Sequence, residues 1–397
     1  MVVRFMRKHA LLVFALILAL VVAGCGGSKE NTEKEASTET KEPYKIGVVL
    51  DISGPGSSLG IPERDTINMI IEKVNESGGI DGHLIELTML DNKSNETEAA
   101  LAVKNLIEKD VLAIVGCSTS GTTLAMIDAV QQSEVPLVSA AASIRIVDPV
   151  NERKWVFKTA QSDSLVAERV VTYLKSKGLT KIAFASMNNA FGDSGRAEFE
   201  KAAAAGGITI LGTEKFEVND TIMTSQITNI KKLNPDAVIA WAIPPSASSF
   251  TTSYRALGLT QPLIHSHGIG NKTFIDLAGK DADGVVFPVG KLLAAEGLPD
   301  DDPQKQVLVQ YATDFEARFG PRNTFGGHAW DAINIVLDAL EKAGPDRAKI
   351  RDEIEKTQNF VGISGIFNMS AEDHNGLGLD SMIMVEIKDG QWVPVID

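Results

Sequence analysis

The chain has 397 residues, 23% of them charged, with 38 Lys and Arg against 52 Asp and Glu and a formal net charge of −14. A basic face for phosphate backbones is absent from that balance, so nucleic acid is excluded as an expected partner. The two cysteines, Cys25 and Cys117, are too few for a disulfide framework.

At the N-terminus, Arg4, Arg7 and Lys8 precede an apolar run from Ala10 to Val22 and small residues before Cys25. The run has 13 residues, short of the roughly 20 that cross a bilayer, so residues 1–24 read as a secretory signal peptide rather than a transmembrane anchor. Val22-Ala23-Gly24-Cys25 resembles the lipobox of bacterial lipoproteins. That resemblance implies lipidation of the Cys25 sulfur and cleavage just before it. Residues 25–43 are then a flexible linker of Ser, Thr, Glu and Lys with no aliphatic side chain larger than Ala, unable to bury a core. The expected localisation is the extracytoplasmic face of a membrane, with the body held by lipid alone. Cys117, left without a partner, reads as a small buried residue at a strand end.

From Tyr44 onward, short β-branched runs alternate with amphipathic stretches of helical period. Strands are expected at 45–51, 84–90, 113–116 and 136–139, with helices at 61–77, 96–108 and 121–132 between them. This is the rhythm of one doubly wound parallel lobe. A second series follows Trp155-Val-Phe-Lys158: strands at 181–186, 209–216, 237–242 and 263–265, and helices at 165–177, 194–205, 224–233 and 247–257. After Gly284-Val-Val-Phe-Pro288, helices at 304–319, 324–342 and 346–356 return to complete the first lobe. Strands at 381–387 and 392–395, turning at Asp389-Gly390, read as a hairpin of the second lobe. The expected fold class is therefore α/β, two Rossmann-like lobes joined by a three-segment hinge. Residues 44–159 plus 288–366 form lobe 1, and 160–287 plus 367–397 form lobe 2, with crossings near 160–163, 287–289 and 365–373. Ligands of open α/β sheets bind at the carboxyl ends of the strands, which here face a cleft between the lobes.

Ser53-Gly-Pro55, Asn75-Glu-Ser-Gly-Gly79, Val115-Gly116 leading to Ser120, Val138-Ser-Ala-Ala-Ala-Ser143 and Phe191-Gly-Asp193 occur in that order along this pattern. In order and spacing they resemble the type I solute-binding proteins of branched-chain amino acid ABC importers, over essentially all of 44–397. The resemblance implies a receptor that closes its hinge on a small carboxylate-bearing ligand and delivers it to permease subunits. An alternative of the same fold is a ligand-sensing co-receptor for a membrane signalling protein.

Matched by position, the carboxylate-holding residues of that family fall on Ser120, Ala141 and Ser143, and Ala142 is a further candidate ligand contact. Strand-to-helix turns there would offer hydroxyls and unpaired N–H groups to an anion. Ser120 and Ser143 also fit as helix caps, and both roles are compatible. Phe191 matches an aromatic that lies against the ligand. Leu59 and Trp241 are further candidate walls, Trp241 equally suited to the core. His265 and His267, two apart at a strand end, would share a face, and His328 matches another cleft position. A hydrogen-bonding role is expected for His267 and His328, and no metal, since no third ligand accompanies the pair. His267 stands where amino acid binders of the family carry an acid for the ligand's α-ammonium. This departure favours a small organic acid, branched or aromatic, over leucine, unless Glu296, Asp300 or another acid restores the charge. No dinucleotide fingerprint, phosphate loop or nucleophile elbow occurs, so no cofactor and no enzymatic activity is expected.

Overall fold

The structure, a computed structural model, describes residues 41–395. The expected signal peptide, Cys25 and the linker up to Thr40 lie outside the described residues.

The first sheet is built around β1 (Tyr44–Leu50), whose residues are buried at every position but one. A strand so apolar on both sides belongs inside a parallel sheet. β1 lies between β2 (Ile85–Asp91) and β3 (Ala113–Gly116), and β4 (Leu137–Ser139) and β5 (Val156–Lys158) follow outward, all parallel. Successive side chains serve opposite faces. Ile46, Val48 and Val115 pack under helices Ser57–Glu76 and Thr324–Ala343, with Ile67, Ile71, Ile333 and Val336 in the same cluster. Val49 and Ile114 pack instead with Ala99, Val103 and Leu106 of helix Glu96–Glu108. That helix starts at Asn95, whose side chain accepts from the Thr97 and Glu98 N–H groups.

The stretch expected as one helix over 121–132 is two, Ser120–Leu124 and Ile127–Ser133. The chain tightens at Met126, whose N–H donates to the Thr123 carbonyl (3.0 Å) three residues back. Met126 is thereby turned inward, against the buried Cys117.

In the second sheet, β6 (Lys181–Met187), β7 (Thr209–Phe216), β8 (Ala237–Trp241), β9 (Leu263–His265) and β10 (Val286–Gly290) run parallel in the order β7-β6-β8-β9-β10. Phe184, Phe199, Phe216, Phe250 and Phe287 fill its core. The small hairpin of β11 (Phe360–Val361) and β12 (Ile366–Phe367) was not anticipated from the sequence pattern. β13 (Met382–Lys388) joins β10 antiparallel and β14 (Gln391–Pro394) pairs with β13. Asp389 and Gly390 both take positive φ, 50° and 71°, as a two-residue hairpin turn requires.

Three crossings join the lobes, and two fall later than expected. β10 stays in the second sheet through Gly290. Phe367, Met369 and Leu377 bury themselves in the first lobe's core, so the last crossing comes between Leu377 and Met382.

Gly192 lies where helix Ala190–Gly206 leaves β6, and a Cβ there would meet the Met187 carbonyl oxygen at 1.9 Å. Gly192→Ala should force the helix start off the strand and cost about 1–3 kcal/mol as an overpacking change. Urea unfolding checks it; an unchanged midpoint would show that the helix shifts freely.

Candidate functional site

The carboxyl ends of both parallel sheets open onto one cavity of about 190 Å3. Its first-lobe wall comes from the turn after β3 (Ser118 to Thr122), from Ala140 and Ala142 after β4, from Leu59 and from Phe325. Met187, Asn189 and Phe191 after β6, Ile243 after β8 and His267 after β9 form the facing wall. Ala160, at the first crossing, joins them.

Six of the expected residues line this cavity: Leu59, Ser120, Ala142, Phe191, His267 and His328. Ser120 Oγ accepts from the Ser143 N–H (3.2 Å), which leaves its own proton to donate. The N–H groups of Gly121 and Thr122, in the first turn of Ser120–Leu124, have no intrahelical acceptor by position. Leu59 and Ala142 are buried within the second lobe's apolar cluster although their elements belong to the first. The lobes are therefore closed on one another.

Ala141, Ser143 and Trp241 lie behind the cavity surface. The Ala141 N–H is taken by Ser139 Oγ (3.0 Å). Ser143 caps the turn Ile144–Ile146 and donates its hydroxyl to Ser194 Oγ (2.7 Å) on the other lobe. Trp241 is fully buried with its ring 6.1 Å from those of Phe184 and Phe191. It packs against Gly195, where a Cβ would come within 2.1 Å of the indole nitrogen. It backs Phe191 rather than facing the cavity.

His265 and His267 do not share a face. β9 ends at His265 and the chain turns into the short helical segment His267–Ile269, which breaks the strand alternation. His265 is buried, Nε2 against Thr251 Oγ1 (2.9 Å) and its ring beside Phe274, whereas His267 reaches the cavity. His328 keeps Nδ1 on Ser364 Oγ (2.7 Å). Burial lowers both cavity imidazoles to about 3, helped at His267 by the positive charge of Lys158 and at His328 by His267 and then Lys158. Both are thus neutral hydrogen-bonding groups at physiological pH. Among the described residues no three His, Cys, Asp or Glu side chains are grouped to hold a metal.

Glu296 is engaged by Arg322, and Asp300 by Lys305 (2.7 Å); neither lines the cavity. The charged residue on the lining is Glu96, exposed at the rim. Sequence reasoning missed a carboxylate layer beneath the wall. Asp51 accepts from Asn92 Nδ2 (2.8 Å) and the Thr119 hydroxyl (2.8 Å), and the Ser118 hydroxyl donates to Glu63. Burial raises both acids, opposed at Asp51 by those hydrogen bonds and reinforced at Glu63 by the charge of Asp51. Asp51, a charged residue directly after the apolar run Ile46–Leu50, was the available signal.

A family model described as periplasmic binding protein matches residues 43–391. The chain belongs to that family. Among curated relatives of this binding protein are the Leu/Ile/Val-binding protein homolog 3 of Brucella melitensis, 22% identical over 75% of this chain and 79% of the relative. Another is the leucine-, isoleucine-, valine-, threonine- and alanine-binding protein of Pseudomonas aeruginosa, 21% identical over 76% and 79%. An extracellular ligand-binding receptor from Rhodopseudomonas palustris HaA2 has 29% identity and a TM-score of 0.84, over 89% of this chain and all (100%) of that one. A leucine binding protein of Thermotoga maritima, 25% identical, matches at a TM-score of 0.80 over 89% and 98%. The fold is the two-lobed type I architecture, the relatives are binding proteins rather than enzymes, and the family implies an extracytoplasmic location. No described helix is long and apolar enough to cross a membrane.

His265, His267 and His328 share one consequence. Each has a folded pKa near 3, below the unfolded value of 6.5, so the stability they contribute is present above pH 6.5 and lost as pH falls toward 3. Unfolding at pH 5 should take up about three protons through them, and His328→Asn should remove one. The pH dependence of the urea midpoint between pH 7 and 5 measures it; a slope unaltered in His328→Asn contradicts the assignment.

Proposed function

We propose that this binding protein captures a small organic anion in the interlobe cavity by hinge closure and delivers it to the permease of an ABC importer. The observation that carries the reading is the composition of the cavity wall. Donors from Ser120 and the Gly121 and Thr122 N–H groups, with Leu59 on the same wall, face Phe191 and Ile243, and neutral His267 and His328 complete the lining. Such a site offers hydrogen bonds to a carboxylate and apolar cover to a branched or aromatic body. No buried acid is on the lining for an α-ammonium, since Asp51 and Glu63 lie beneath the wall and are taken up by Ser118, Thr119 and Thr122. Glu96 is at the rim, where water screens it, and Glu296 and Asp300 are engaged elsewhere. A buried ammonium without a carboxylate partner costs several kcal/mol. A small organic acid therefore suits the cavity better than leucine, although the relatives are named for branched-chain amino acids.

Titration calorimetry with leucine, isoleucine and valine beside their 2-oxo counterparts and benzoate tests this. The 2-oxo or aromatic acids should bind roughly 100-fold more tightly than the amino acids. Micromolar binding of an amino acid with no response to its deaminated analogue would return this protein to the substrates of its relatives.

The body is anchored, in the same proposal, through a diacylglyceryl group on Cys25, whose two chains suffice where one is marginal. Fractionation of Cys25→Ala should move the protein from the membrane pellet to the soluble fraction. A variant that is processed and still pellets removes the lipoprotein reading.

A further inference from the structure

Lys158 ends β5 and is fully buried where the chain first crosses between the lobes. Its Nζ donates to the Ala160 carbonyl (2.6 Å) and to Ser162 Oγ (3.0 Å), both neutral. Asn375 holds the same segment, donating to the Lys158 and Ala160 carbonyls (3.1 Å each). Ala160 lines the cavity, so the ammonium sits directly behind the wall. Asp163 and Asp373 raise its proton affinity from a distance, and Asp163 itself accepts the Ile144 N–H (3.0 Å). His374 accepts the Lys158 N–H through its carbonyl (3.1 Å) and stacks on Phe157. On the cavity side stand His267 and His328, both of which feel the Lys158 charge.

We propose that Lys158 is the counter-charge that makes the cavity selective for anions, acting on the occupant through the wall rather than by contact. The proposal rests on the carboxylate reading above. A buried cation held only by neutral oxygens is costly, and a negative charge entering the adjacent cavity relieves that cost. Neutral imidazoles and hydroxyls then supply direction while Lys158 supplies the sign of the charge. Lys158 is a positioning residue in this scheme.

The consequence is proton-linked binding. Burial brings Lys158 down to about 7, and an anion in the cavity raises it again, so binding takes up a proton. Affinity for an anion is full below pH 7 and falls as pH rises above it. One neighbour could imitate this. Asp331 is also brought to about 7 by burial, and its oxygens accept the Ile363 and Ser364 N–H groups, next to His328. Its ionisation would weaken anion binding with the same sign.

Calorimetry between pH 6 and 9, in two buffers of different ionisation enthalpy, separates the two. The probes are 4-methyl-2-oxopentanoate, benzoate and leucine, and the proteins are wild type, Lys158→Met and Asp331→Asn. Wild-type affinity for the two anions should fall about tenfold from pH 6 to pH 8, with proton uptake rising toward one per molecule bound. Lys158→Met should bind them weakly and without pH dependence, and Asp331→Asn should keep the wild-type slope. Should Lys158→Met fail to fold, Lys158→Gln carries the comparison. A pH-independent wild type, or a slope that survives loss of Lys158, overturns the proposal and leaves the carboxylate site standing. Failure of all three probes to bind wild type removes the site reading and this proposal with it.

Discussion

The cavity depends on closure of the lobes, held by hydrogen bonds from the Ser143 hydroxyl to Ser194 Oγ (2.7 Å) and from the Thr324 N–H to the Gly270 carbonyl (3.1 Å), and by Leu59, Ala142 and Phe325 inserted into the second lobe's apolar cluster. Together these contacts span the cleft, and without them two separate loop surfaces would face water. A hydrogen bond of this kind contributes on the order of 1 kcal/mol net, and three side chains of apolar cover add only a few more. Closure is therefore a small free-energy difference. Any molecule with differential affinity for the closed form shifts it, and the hinge needs no further device to respond.

The cavity divides its work between layers. The innermost side chains are short or neutral: serines, threonines, alanines, two imidazoles and two phenyl rings. Charge is kept one layer back, with Asp51 and Glu63 beneath the Ser118 turn and Lys158 beneath Ala160. The acids fix the turn, since Asp51 alone accepts from Asn92, Thr119 and Thr122. A site arranged this way holds its polar groups in place before anything enters it, which reduces the ordering that binding must offset.

Much of this was legible in the sequence, because parallel sheets write themselves as apolar runs of fixed period. Tyr44–Leu50, Thr209–Phe216 and Leu263–His265 could be located from composition alone. Ser120, Phe191 and His267 were named from the family resemblance, and all three line the cavity at strand ends. What escaped depended on tertiary partners. The break at Met126 answers to packing against Cys117, and the retreat of Trp241 behind Phe191 is made possible by Gly195, a position with no local signal. Likewise His265 and His267 look equivalent in sequence. A single turn between them sends one into the core and the other to the site.

The order of assembly follows from the C-terminal third of the chain. β1 shares a core with helix Thr324–Ala343, and β10 is paired at Val286 with Glu386, so each lobe draws an interior element from sequence far downstream of its first strand. Neither lobe can complete its interior before those downstream segments are made. Loop closure over such separations slows folding and leaves apolar faces of both sheets uncovered until those segments arrive. For a family whose members work outside the cytoplasm, a late-finishing architecture is an advantage: it stays threadable until the segments that cover its sheets arrive.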